Sequence, residues 1–179
     1  MKRFFLFIIL LGFITLPGCL IVSKVSYHIA MKDSKQGTVT VSFYDIKSDA
    51  IGNKEFEEDK KHLFEHMLKS EEFIESMRFD GKFVKDRKLE LKNGMLNGTA
   101  VYDFSDIEKV EGFRLQEGFY FLTLQSEDSV LTTNGQIVQT EAYKRIIWPS
   151  DTKVLEFEIL SGLVPQQTRE LAPFYQKGK

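Results

Sequence analysis

Leu89-Glu90-Leu91-Lys92-Asn93-Gly94-Met95-Leu96-Asn97-Gly98-Thr99-Ala100-Val101-Tyr102-Asp103-Phe104 is the stretch on which the fold turns. Leu89 and Leu91 are separated by a charged residue before Asn93-Gly94. Ala100, Tyr102 and Phe104 follow at every second position after it. Period-two alternation marks a strand with one buried face. Asn-Gly tolerates the positive φ of a tight hairpin turn. A β-hairpin is therefore expected, with its turn at Asn93-Gly94.

The flanking segments extend the pattern. Upstream, Val25, Tyr27, Ile29 and Met31 alternate, Gln36-Gly37 marks a turn, and Val39, Val41 and Phe43 alternate with Thr38, Thr40 and Ser42. That is an opening hairpin. Between the two hairpins, Phe56, Leu63, Phe64, Met67, Leu68, Ile74 and Met77 recur at helical spacing through a charged stretch, which predicts one amphipathic helix lying on a sheet. Downstream, Ser105 and Glu108 have the spacing of a capping box ahead of Ile107, Val110 and Phe113, which predicts a second, short helix. Strands then dominate: 119–124, a further hairpin signal at Asn134-Gly135, a segment ending at Trp148-Pro149, and a last strand at 154–160. The expected fold class is α+β: a largely antiparallel sheet with one long amphipathic helix and one short helix, in the order β-β-α-β-β-α and then further strands.

At the front of the chain, Lys2 and Arg3 precede an apolar run over 4–16 that is too short to span a bilayer, which takes roughly 20 residues. It has the proportions of a secretory h-region. It ends in Leu16-Pro17-Gly18-Cys19, which resembles the lipobox of bacterial lipoproteins. Pro17 departs from the small or hydroxyl residue usual at its position. The resemblance implies cleavage after Gly18, diacylglyceryl on the Cys19 sulfur and, usually, N-acylation of the new terminus. Several acyl chains together make a stable anchor, where one alone is marginal. The implied division is a signal peptide over 1–18, a short tether over 19–24, a single domain over 25–160 and a polar tail over 161–179. Cys19 is the only cysteine, so no disulfide is available. The formal net charge is −2, and it grows more negative once Lys2 and Arg3 leave, which argues against a nucleic-acid partner.

From residue 25 to 160 the layout also resembles small envelope lipoproteins of the LppM-like kind. The shared features are the opening hairpin, the amphipathic helix, the run Tyr102-Asp103-Phe104-Ser105-Asp106-Ile107, the turn Thr133-Asn134-Gly135 and Trp148-Pro149. These are structural motifs; they imply a fold and no activity.

One constellation carries possible chemistry. His62-Leu63-Phe64-Glu65-His66 fits H-x-x-E-H, and with Met67-Leu68 it resembles the insulysin-like peptidases. That resemblance implies zinc on His62 and His66, Glu65 as general base and Glu141 as the distal ligand. Against it stand the chain's size, the strand-like surroundings of Glu141, and the placing of both histidines on the flank of the apolar stripe. The competing account is two solvated surface histidines. Asn97-Gly98-Thr99 has the form of a glycosylation sequon and is better explained as a loop or turn. Asp103 and Asp106 bracket a helix start, where acids favour the dipole. Ser105 reads as a cap. Trp148 and the Phe-rich strands either line an apolar ligand cavity or form the core.

The favoured function is non-enzymatic, with no catalytic, cofactor or metal residue assigned. It is a bacterial envelope domain held to the membrane by acyl chains on Cys19, binding an envelope protein or a small apolar ligand close to that membrane. Leu20 after the cysteine is compatible with the outer membrane in many Gram-negative bacteria. The alternative is a small zinc-dependent hydrolase using His62, Glu65 and His66. Mass spectrometry of the exported protein is expected to find an acylated Cys19 at the N-terminus. Cys19→Ser is expected to leave the chain unlipidated and uncleaved or miscleaved. An unmodified Cys19 thiol would end the lipoprotein assignment.

Overall fold

The computed structural model describes residues 20–110, 112–124, 128–141, 143–160 and 167–175. Cys19 and the segment before it lie outside them. In chain order the strands are β1 (Leu20–Ile21), β2 (Lys24–Met31), β3 (Gly37–Tyr44), β4 (Lys47–Ser48), β5 (Lys82–Lys92), β6 (Met95–Phe104), β7 (Phe113–Gln116), β8 (Phe119–Leu124), β9 (Ser129–Thr133), β10 (Gln136–Gln139), β11 (Lys144–Pro149), β12 (Val154–Leu160) and β13 (Arg169–Glu170). Between β4 and β5 stand helix α1 (Asn53–Lys61), a π-helical stretch (His62–Met67) and helix α2 (Glu71–Phe79).

The strands make three antiparallel sheets. Six strands pair in the order β5-β6-β3-β2-β12-β9, four in the order β10-β11-β8-β7, and the two-residue strands in the order β1-β4-β13. The large sheet obeys the alternation. Val39, Ile29, Tyr102 and Leu155 stand side by side on one face, and all four are buried. Its other face carries Thr40, His28 and Glu156, with His28 Nδ1 2.8 Å from Glu156. Two elements cover the apolar face. The four-stranded sheet contributes Phe113, Tyr120, Leu122, Ile146 and Trp148 to the main core, and the helical stretch covers a second core at Phe56, Leu63, Leu89 and Leu96.

The expected α+β class is overturned: the chain is mainly antiparallel β. The single long helix is not formed. The α1 and π segments run together over 53–67, and the chain then breaks at Ser70, whose backbone is extended (φ −74, ψ 134). Ser70 Oγ accepts from Phe73 N at 3.1 Å and so caps a new helix. Periodicity cannot register this, because Ile74 and Met77 resume at compatible spacing after the break. No residue of α2 is buried, and Phe79 at its end is 93% exposed. The second expected helix is a 3-10 turn of three residues, Ile107–Lys109. Its cap is Asp106, which accepts from Glu108 N, while Glu108 accepts from Leu115 N instead of closing a box with Ser105.

The hairpin at Asn93-Gly94 forms as expected, with φ of 54 and 78 at its two central residues and β5 paired to β6 from Lys92↔Met95 onward. Asn134-Gly135 does something else. β9 pairs with β12 in the large sheet and β10 with β11 in the small one, so this dipeptide carries the chain from one sheet to the other. Asn97-Gly98-Thr99 lies inside β6 and not in a loop, with Asn97 Oδ1 accepting from Asp45 N. Both ends of the described chain are folded in. β1 and β13 flank β4, and Leu171 and Ala172, from the segment assigned to a polar tail, are buried in the second core.

A Cβ at Gly94 would meet no atom within 4 Å, so only the backbone opposes substitution there. Gly94→Val is expected to destabilise by about 1–3 kcal/mol in urea unfolding, the cost of a β-branched residue at positive φ. An unchanged midpoint would show that the turn relaxes without penalty.

Candidate functional site

The chemistry-bearing residues gather around the π-helical stretch. A π turn is wider than an α turn and often sits at functional positions. Here it points Leu63 into the second core and leaves His62 and Glu65 exposed. The His62 and His66 rings stack, with centroids 5.2 Å apart and planes at 24°, and Phe73 meets His66 edge-on at 5.7 Å. Leu20, Glu58, Asp59, His62, Glu65 and Glu72 border an open concavity of about 820 Å³. Glu141 lies in the turn between β10 and β11, in the four-stranded sheet. Among the described residues no three His, Cys, Asp or Glu side chains gather to hold a metal ion. The arrangement brings His62, Glu65 and His66 together on one helix without the distal ligand that the zinc reading requires.

Among the described residues Asp59 is the one buried carboxyl beside them. Ser48 Oγ donates to it at 2.5 Å, and Ser48 in turn accepts from Ala50 N. Burial pushes the Asp59 pKa above its ordinary value. The Ser48 hydroxyl opposes the rise and the nearby Asp49 adds to it.

On the inner side of the same π stretch lies an apolar cavity of about 290 Å³. Leu20, Val22, Phe43, Leu63, Met67 and Leu89 line it, with Ala100 on its sheet wall. Leu20 and Met67 border both this cavity and the open concavity outside it, so they divide the two. Arg87 holds the roof in place. A bulge between Val84 and Asp86 shifts the register of β5, so that Arg87 stands opposite Ala100 on the apolar face. Its Nη1 donates to Met67 O at 2.8 Å and its Nη2 to Ser70 O at 3.0 Å, and its guanidinium lies 5.7 Å from the Phe73 ring centroid. One cation thus satisfies two carbonyls at the helix break that no helix can serve.

Of the other sequence candidates, Trp148 lies in the main core and does not line this cavity; its ring stacks on Phe113 at 5.8 Å. Asp103 pairs with Lys85 at 2.8 Å and accepts from Thr38 Oγ1, and those two contacts, Lys85 first, hold its carboxyl below the ordinary range. Ser105 Oγ donates to Gly81 O at 3.5 Å. Arg87, Leu20 and Val22 carry the cavity and were not singled out from sequence for that role. Arg87 is one charge in a charged strand, and its inward direction depends on a bulge that alternation cannot show.

Compared with protein-family models, characterised proteins and solved structures, the chain matches none.

Asp59 gives the site a pH signature. Because its folded-state pKa is raised, the folded chain binds more protons than the unfolded chain just above the ordinary value of 3.8. Its contribution is fully present below that value and is lost as pH rises through the raised one. Asp59→Asn keeps an acceptor for Ser48 and removes the titration. Urea midpoints are expected to favour Asp59→Asn over the unsubstituted chain increasingly from pH 3 to pH 7. A variant that loses ground over that range would show the ionised carboxylate to be net stabilising.

Proposed function

We propose that the chain is a lipid-anchored bacterial envelope protein, attached through Cys19 and non-enzymatic, that binds a small apolar ligand close to the membrane. The apolar cavity between the π-helical stretch and the large sheet carries this reading. It is concave, it is lined mainly by aliphatic and aromatic side chains, and its volume is near the lower end of the range of roughly 300–1,000 Å³ for small-molecule sites. Its position supports the membrane part. Leu20 is one residue beyond Cys19 and forms part of the cavity wall, so acyl chains on that cysteine would hold the cavity next to the bilayer. Among the described residues no helix is long and apolar enough to cross a membrane.

The chain from Leu20 onward is expected to bind N-phenyl-1-naphthylamine with a saturable rise in fluorescence. Ala100→Phe places a ring in the cavity and is expected to weaken that binding about tenfold or more, equivalent to about 1.4 kcal/mol or more. Saturable binding that Ala100→Phe leaves unchanged would place the dye elsewhere and remove the support for this reading, as would no binding at all.

A further inference from the structure

We infer that the ligand of the apolar cavity is a single-chain amphiphile with an anionic head, its alkyl chain in the cavity and its head on Arg87 and Lys88. The inference rests on the proposed binding role of that cavity and names the class of ligand. The observation behind it is the distribution of charge. Among the described residues that line the cavity, Arg87 and Lys88 are the only charged ones, and both are positive. They are neighbours in β5, an edge strand of the large sheet, so the charge stands at one margin of the cavity. Among the described residues neither takes part in an ion pair, in a chain where 26 acids outnumber 24 bases. On the far side of Leu20 and Met67 the balance is reversed: Glu58, Asp59, Glu65 and Glu72 border the open concavity, against Lys61. An anionic head is therefore opposed on that side and attracted to the β5 margin.

Arg87 suits such a head. Its bonds to Met67 O and Ser70 O use two of the five guanidinium N–H groups, which leaves three donors. Among the described residues Arg145 Nε is the one buried side-chain nitrogen or oxygen without a partner. The Arg87 Nε, from which no described residue accepts, is therefore open to an incoming atom. The two carbonyls and the Phe73 ring fix the guanidinium in advance, so little side-chain freedom is lost when an oxyanion binds. A carboxylate or phosphate matches the planar fork and forms charge-assisted hydrogen bonds with it. A neutral alcohol or hydrocarbon fills the same walls and leaves both cations uncompensated. Apolar walls with a few placed polar groups are the usual form of a small-molecule site. A free fatty acid and a singly acylated phosphate ester share this chemistry.

The test uses the full chain in nanodiscs of phosphatidylcholine, with empty nanodiscs as the background. Tritiated dodecanoate is expected to bind saturably, and unlabelled dodecanol to compete about tenfold or more less well than unlabelled dodecanoate. Ala100→Phe is expected to weaken dodecanoate about tenfold or more, which locates it in the cavity. Arg87→Met is expected to bring dodecanoate down to the level of dodecanol. Lys88→Gln, at an exposed position, is expected to weaken dodecanoate by a smaller factor and to leave the roof in place. Dodecyl phosphate separates the sources: its binding more tightly than dodecanoate points to a phosphate ester, and more weakly to a fatty acid. Dodecanol competing as well as dodecanoate in the unsubstituted chain would overturn the inference without any variant. If N-phenyl-1-naphthylamine still bound, the cavity would keep its proposed role and only the anionic head would be lost. Dodecanoate that fails to bind above the background, or that binds equally well with Arg87→Met and Lys88→Gln, would overturn the inference too.

Discussion

The two sheets are held in one relation by the side chain of Asn134. Its Oδ1 accepts from the indole Nε1 of Trp148 at 2.7 Å, in the small sheet, and from Glu156 N at 2.9 Å, in the large one. Its Nδ2 donates to Val154 O at 2.8 Å. A buried indole N–H needs an acceptor, and leaving it without one costs about 1–3 kcal/mol. By meeting that need at the point where the chain passes between sheets, Asn134 sets where the sheets meet. Gly135 completes the joint: a Cβ there would come within 2.5 Å of the Trp148 ring. Phe113, Trp148 and Phe157 then close a ring cluster from both sheets, with centroids about 6 Å apart.

That joint explains why Asn134-Gly135 looks the same as Asn93-Gly94 in the sequence and behaves differently. Asn93 and Gly94 use their tolerance of positive φ, and nothing nearby needs Gly94 to be small. Asn134 uses its amide and Gly135 its lack of a side chain. The distinction rests on Trp148 and Glu156, 14 and 22 residues away from Asn134, which no local pattern contains. The opening hairpin, the hairpin at Asn93-Gly94 and the strand at 154–160 were legible because each is a local alternation with one buried face. The assignment of the later strands to a separate sheet was not, since nothing in their alternation names the partner strand.

The helical region shows the same division at the candidate site. Helical spacing located the apolar positions from Phe56 to Met77 and placed Leu63 inward and His62 outward. It was blind to the break at Ser70, and so to the opening between π stretch and sheet that Arg87 spans. The segments at 20–24 and 167–175 fall within the tether over 19–24, set aside as short and unpatterned, and the tail over 161–179, set aside as polar and interrupted by Pro165 and Pro173. In the fold they clasp the second core. Arg169 donates to Gly52 O and lies 3.8 Å from the Phe56 ring centroid, and Tyr175 donates to Leu89 O at 2.8 Å. Strands of two residues have no periodicity to detect.

Trp148 is the only tryptophan in the chain, and it belongs entirely to the core between the six-stranded and four-stranded sheets. The second core, under the π stretch, contains none. Tryptophan fluorescence, excited selectively, is therefore a spectroscopic reporter on one half of the molecule and silent about the other. Loosening of the helical roof, closure of the cavity or detachment of the C-terminal strand would leave the emission spectrum almost as it was. A backbone-sensitive signal such as far-ultraviolet dichroism or amide exchange would see them.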